Sequence, residues 1–140
     1  MAQVFAGFVA GYGLALITTP LLAWVMFRVR ASSDLLLRMF PREAPLVAVA
    51  MLLHGALTFV LTMLGLILGL VLLAMKDADG AAGSLNWPFS LFVAALALAG
   101  VAPIFALLRP LRPAIAAYTL VFVVVYGWLM PYLAEWSKFD

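Results

Sequence analysis

The sequence predicts an all-α, four-span transmembrane helical bundle with a short interfacial helix between spans one and two. Three observations lead there. Hydrophobic residues fill 68% of the 140 positions and charged residues only 10%, with a mean hydropathy of +1.20, whereas a soluble domain has roughly half and a quarter. The apolar positions gather into four runs, residues 4–27, 46–75, 89–108 and 114–133, each meeting or exceeding the roughly 20 residues that a hydrocarbon core about 30 Å thick requires. Basic residues alternate between the connections, as an even number of crossings demands. Only helices satisfy their own backbone groups in such short, separate spans. So little chain lies between the runs that a single integral membrane domain, residues 1–140, is expected.

The first run, 4–27, has no basic stretch ahead of it and no polar cleavage region behind it, so no removable signal peptide is expected. It carries Gly7, Gly11 and Ala15 on one face and ends beside Trp24 and Arg28. Ser33 and Asp34 can cap a short helix whose Leu35, Leu36, Met39 and Phe40 form an apolar side next to Arg38 and Arg42. It is expected to lie flat in the interface until Pro41 and Pro45 break it.

The second run would measure about 45 Å at 1.5 Å per residue, so it must tilt or extend beyond the hydrocarbon. Gly55, Thr58, Thr62, Gly65 and Gly69 recur along it at alternating spacings of three and four, a heptad-like seam of small residues. Helices in lipid associate through close approach at such residues, because lipid tails are as apolar as leucine.

After it comes a polar segment. Asp77, Asp79 and Gly80 lack the remaining ligands of a calcium loop, so a plain turn is expected. Asn86 should cap the third helix ahead of Trp87 and Pro88. That helix carries Ala95, Ala99, Ala102 and Ala106, a third face suited to tight packing. Arg109 to Pro113 leaves room only for a turn, so spans three and four should form an antiparallel hairpin. The bulky run 120–126 is expected to form a wall facing lipid or a partner. Pro20 and Pro103 should kink their helices by removing the donors to Leu16 and Ala99. Both stand before an arginine, in Pro20, Leu21, Leu22, Ala23 and in Pro103, Ile104, Phe105, Ala106, a likeness for which coincidence is the simpler reading.

Arg28, Arg30, Arg38, Arg42, Arg109 and Arg112 fall in the first and third connections, against Lys76 and Lys138 on the other side. The positive-inside rule therefore places those two connections in the cytoplasm and both termini outside. Trp24 marks one interface, and Trp87, Trp128, Tyr132 and Trp136 mark the other. Arginine outnumbers lysine six to two, a bias that goes with GC-rich bacterial sources, so the expected location is a bacterial cytoplasmic (inner) membrane.

Reactive groups are scarce. The absence of cysteine removes disulfides, thiolate metal sites and cysteine nucleophiles. Asp34, Glu43, Asp77, Asp79, Glu135 and Asp140 are all the carboxylates, and each falls in a connection or tail, where it cannot serve as the intramembrane acid of a proton-coupled exporter. No triad, carboxylate pair or metal site can be assembled, so neither an enzyme nor a metal centre is expected.

His54 is the one histidine, lysine, arginine or carboxylate at membrane depth, about 13 Å along the second helix from Pro45. The spacing of Ala50 and His54 resembles the pigment-binding spacing of bacterial antenna polypeptides, which are single-span chains. Two readings stay open for His54: a ligand to a haem or chlorophyll-type pigment, or, favoured, a hydrogen-bonding group between helices. The arginines suit anionic lipid headgroups or an acidic partner surface, although topology alone accounts for them. The function expected first is a small non-catalytic subunit or assembly partner of a larger membrane complex, surrounded by lipid and other membrane subunits, without cofactor and without nucleic acid. The alternative is a binding or transport protein for a small apolar ligand, pigment or haem with His54 as its polar contact.

Overall fold

The computed structural model describes residues 1–32, 34–39, 41–79 and 86–136. Helix α1 (Ala2–Val29) runs on into a 3-10 turn, Arg30–Ser32. The short helix α2 (Asp34–Met39) follows, then α3 (Leu46–Asp79), α4 (Trp87–Leu107), a 3-10 turn at Arg109–Leu111, α5 (Arg112–Val124), a π-helical turn at Val125–Leu129, and α6 (Met130–Trp136). Four stretches are long and apolar enough to cross a membrane: Ala2–Ser32, Leu46–Met75, Trp87–Leu107 and Arg109–Trp136. Among the described residues there is no strand. The fold class is the one that hydropathy and run length dictate.

Local signals set the element ends. Asn86 caps α4, its side-chain oxygen accepting from the Phe89 amide at 3.1 Å, with Pro88 in the first turn where a missing N–H costs nothing. At the other end of α4 the Arg112 Nε donates to the Phe105 carbonyl at 3.1 Å, satisfying one of the acceptors that every helix C-terminus leaves open. One expectation is corrected at the end of α3. The helix continues through Asp79, so Asp77 and Asp79 sit on helical backbone and not in a turn, while Gly80 lies outside the described residues. Ser33 and Phe40, expected in α2, lie outside them as well, as do Lys138 and Asp140.

Helix α1 is the centre of the bundle. It packs along α3 on one side and along α6 and the π turn on the other, while α4 leans on α5 and the π turn. Spans three and four form the antiparallel hairpin. The core comprises Ala6, Ala10, Leu14 and Ala15 from α1, Leu61, Leu68 and Leu72 from α3, Phe89, Val93 and Ala97 from α4, and Phe122, Tyr126, Met130 and Ala134 from the fourth span. The run 120–126 is therefore divided. Leu120, Val121 and Val124 face outward, whereas Phe122 and Tyr126 are buried, with ring centroids 4.7 Å apart. The expectation of one uniform outer wall fails because lipid and core are equally apolar, so bulk alone carries no direction.

The π turn has a local cause. Pro131 has no N–H, so the carbonyl of Gly127, four residues earlier, loses its helical donor. The Ser90 hydroxyl of α4 supplies the replacement at 2.6 Å. The helices are in ordinary contact at this point, since a Cβ on Gly127 would lie 3.5 Å from the Ser90 Cα. The widened turn from Val125 to Leu129 relieves the clash that the proline ring imposes one turn below itself.

Candidate functional site

The small residues of α1 and α3 meet along one seam. A Cβ built on Gly7 would overlap the Gly65 carbonyl, and one on Gly65 would overlap the Gly7 carbonyl. On Gly11 it would reach the Leu61 carbonyl and come within 2.9 Å of the Thr62 Cα, and on Gly69 it would stand 2.6 Å from the Gln3 carbonyl. Each glycine thus turns a Cα hydrogen toward a carbonyl of the opposing helix, a weak but repeated attraction that requires bare backbone. As positions rise along α1 they fall along α3, so the two helices are antiparallel.

Thr62 is buried, its hydroxyl returned to the Thr58 carbonyl at 2.5 Å. The Thr58 hydroxyl is buried without a hydrogen-bond partner among the described residues. Gly55 departs from the seam, with open space around it. The position that continues the row is its neighbour His54, which meets Thr19. Sequence spacing missed two members altogether. Gln3 is buried opposite Gly69, and the Tyr126 hydroxyl donates to the Leu61 carbonyl at 2.5 Å. A proline four residues beyond Gly127 was the available signal that the fourth span changes its facing there.

His54 is half-buried. Its Nδ1 stands 3.4 Å from the Thr19 hydroxyl oxygen, and that hydroxyl donates to the Ala15 carbonyl at 2.6 Å. With the threonine proton already committed to Ala15, the hydroxyl oxygen is left as the acceptor, so a bond to Thr19 requires a proton on Nδ1. The distance makes this a weak bond. Among the described residues no group of three His, Cys, Asp or Glu could hold a metal ion.

Ala95, Ala99, Ala102 and Ala106 are not in the seam. All four face outward, on the side of α4 away from Phe89, Val93 and Ala97, which are its only buried residues. Beyond Ala97 the helix buries nothing.

The arginines divide into two sets. Arg30 donates to the carbonyls of Pro41 at 2.9 Å and Arg42 at 3.0 Å, folding the connection ahead of α3, and its guanidinium lies 4.0 Å from the Phe27 ring centre. Arg112 is held on α4 through Phe105, its carbonyl and its ring. Arg28, Arg38, Arg42 and Arg109 are exposed, Arg28 stacking over Trp24 at 4.9 Å. The antiparallel packing gathers all six at one end of the bundle.

Among the described residues, grooves open on the flanks, and two of them bear on function. One, of about 370 Å³, lies between α3, α4 and α5, with Val60, Leu64, Leu96, Gly100, Tyr118 and Thr119 in its walls. The other, of about 220 Å³, lies between α1 and α5, walled by Thr18, Leu21, Leu22 and Val25 on one side and Ala114, Ala117, Tyr118 and Val121 on the other. His54 lines neither of these two. No protein family, curated protein or solved structure matches the chain.

Proposed function

We propose that this chain is a small non-catalytic integral membrane subunit or assembly partner of a larger membrane protein complex, resident in a bacterial cytoplasmic membrane with both termini outside. The observation that carries the reading is the free face of α4. A helix of 21 residues buries three of them and turns a row of alanines outward. Small residues gain nothing against lipid tails, but they let another helix come close. The glycine seam, by contrast, is consumed inside the chain by α1 and α3. The occupant of the α4 face is a transmembrane helix of a different subunit.

The test is co-purification from the native membrane in mild detergent, resolved by blue-native electrophoresis with mass spectrometry. The chain should migrate with larger subunits. Ala99→Leu combined with Ala102→Leu should release it from them while leaving its own helicity unchanged, because both positions are exposed. A chain that migrates alone, or a complex indifferent to the double variant, contradicts the reading.

A second reading is supported by the larger groove. Its walls are hydrocarbon apart from Tyr118 and Thr119, the mixture of apolar lining and few polar groups that holds a small apolar molecule. Its polar contact would be Tyr118 and not His54. Purified protein that carries a stoichiometric apolar compound, lost on Gly100→Leu, would favour it over the first.

A further inference from the structure

We propose that the groove between α1 and α5 is a binding site for one acidic phospholipid, its acyl chain lying between the helices and its headgroup held by Arg28 and Arg109. The fourth span leans on α1 through α6, where the Met130 sulfur stands 3.4 Å from the place of a Gly7 Cβ, and lifts away along α5. What opens there is a groove of about 220 Å³. Its wall offers an alkyl chain little but hydrocarbon. The one hydroxyl from α1, on Thr18, is already given to the Leu14 carbonyl at 2.6 Å, so no unmet polar atom of that residue faces the space. Ala114 and Ala117 leave the opposite wall shallow.

The groove ends at the arginine end of the bundle. Val25, its last residue on α1, precedes Arg28 by three positions, less than one helical turn. On the other wall Ala114 follows the Arg109–Leu111 turn, which packs against α1. Trp24, exposed beneath Arg28, fixes this level as the headgroup boundary, where tryptophan concentrates. Arg30 and Arg112 are engaged with carbonyls, whereas Arg28 and Arg109 are exposed. A phosphodiester is the anion that guanidinium forks match. An apolar slot ending under two exposed guanidinium groups therefore complements a lipid whose headgroup carries net negative charge. The larger groove has no such charges on its walls.

Native mass spectrometry of the purified chain with added phosphatidylglycerol or phosphatidylcholine tests this. The wild type should retain one phosphatidylglycerol in preference to phosphatidylcholine. Arg28→Gln with Arg109→Gln should lower that preference, by about fivefold for each arginine, the factor typical of a cationic side chain at an acidic surface. Arg38→Gln with Arg42→Gln removes the same charge and should leave the preference in place. Ala117→Phe fills the slot and should expel the lipid, whereas Gly100→Leu, in the other groove, should not. Soluble glycerol phosphate should not compete, because the chain contributes to binding. Equal losses from both arginine pairs, or lipid retained with the slot filled, would overturn the site. Competition by glycerol phosphate would reduce it to a phosphate site. Should Ala117→Phe fail to fold, the two arginine pairs decide.

Discussion

Tyr126 is fully enclosed, so its hydroxyl has no water to turn to and donates to the Leu61 carbonyl across the helix seam. Tyr126→Phe keeps the ring and removes only that bond. The expected cost is about 1 kcal/mol, small because an unfolded helix in the membrane also finds partners. Steric-trap unfolding in bicelles would measure it, with Tyr132→Phe, an exposed ring, as the silent control. His54 gives a related forecast. Its bond to Thr19 is long, so His54→Leu should cost no more than about 1 kcal/mol, and the purified wild-type chain should show no visible absorption band. A chromophore lost on that substitution would reverse the assignment and make Nε2 a ligand. The role of Tyr126 was not legible beforehand, since an aromatic in an unbroken apolar run looks alike toward lipid and toward protein.

At the scale of elements, α1 and α3 hold together because glycine lets their backbones touch. Gly65→Ala should be far more damaging than Gly100→Ala or Gly55→Ala. The added methyl collides with the Gly7 carbonyl in the first case and meets open space in the other two. The expected loss is about 1 to 3 kcal/mol, the usual range for forcing one methyl into a packed core, read as the difference in unfolding free energy. Ser90→Ala should cost about 1 kcal/mol, because the Gly127 carbonyl, already without a helical donor from Pro131, then loses the Ser90 hydroxyl as well. Helix number and approximate bounds could be read from hydropathy, because the bilayer dictates run length. The seam could be read at Gly7, Gly11, Thr62, Gly65 and Gly69, because small residues have one strong use in lipid. It slipped by one position at Gly55, where a strict heptad drifts against 3.6 residues per turn and His54 takes the place. The alanines of α4 carry the same signal as the glycines, yet sequence alone could not tell a face used within the chain from one left free.

Taken whole, the molecule is a polarised bundle. The α1 and α3 seam, the α4 hairpin and the packing of α6 on α1 are all antiparallel, so they collect Arg28, Arg30, Arg38, Arg42, Arg109 and Arg112 at one end and leave Met1, Asn86 and Trp136 at the other. The proposed orientation of the chain rests on four crossings with the arginine end in the cytoplasm, as the positive-inside rule expects. The chain contains no cysteine, so single cysteines can be introduced into an otherwise unreactive background. Labelling of Ser32→Cys and Trp136→Cys in intact cells with a membrane-impermeant maleimide tests that claim most directly. Cysteine at 136 should react from outside and cysteine at 32 only after the membrane is opened. Protection of both, or labelling of position 32 in intact cells, would contradict it.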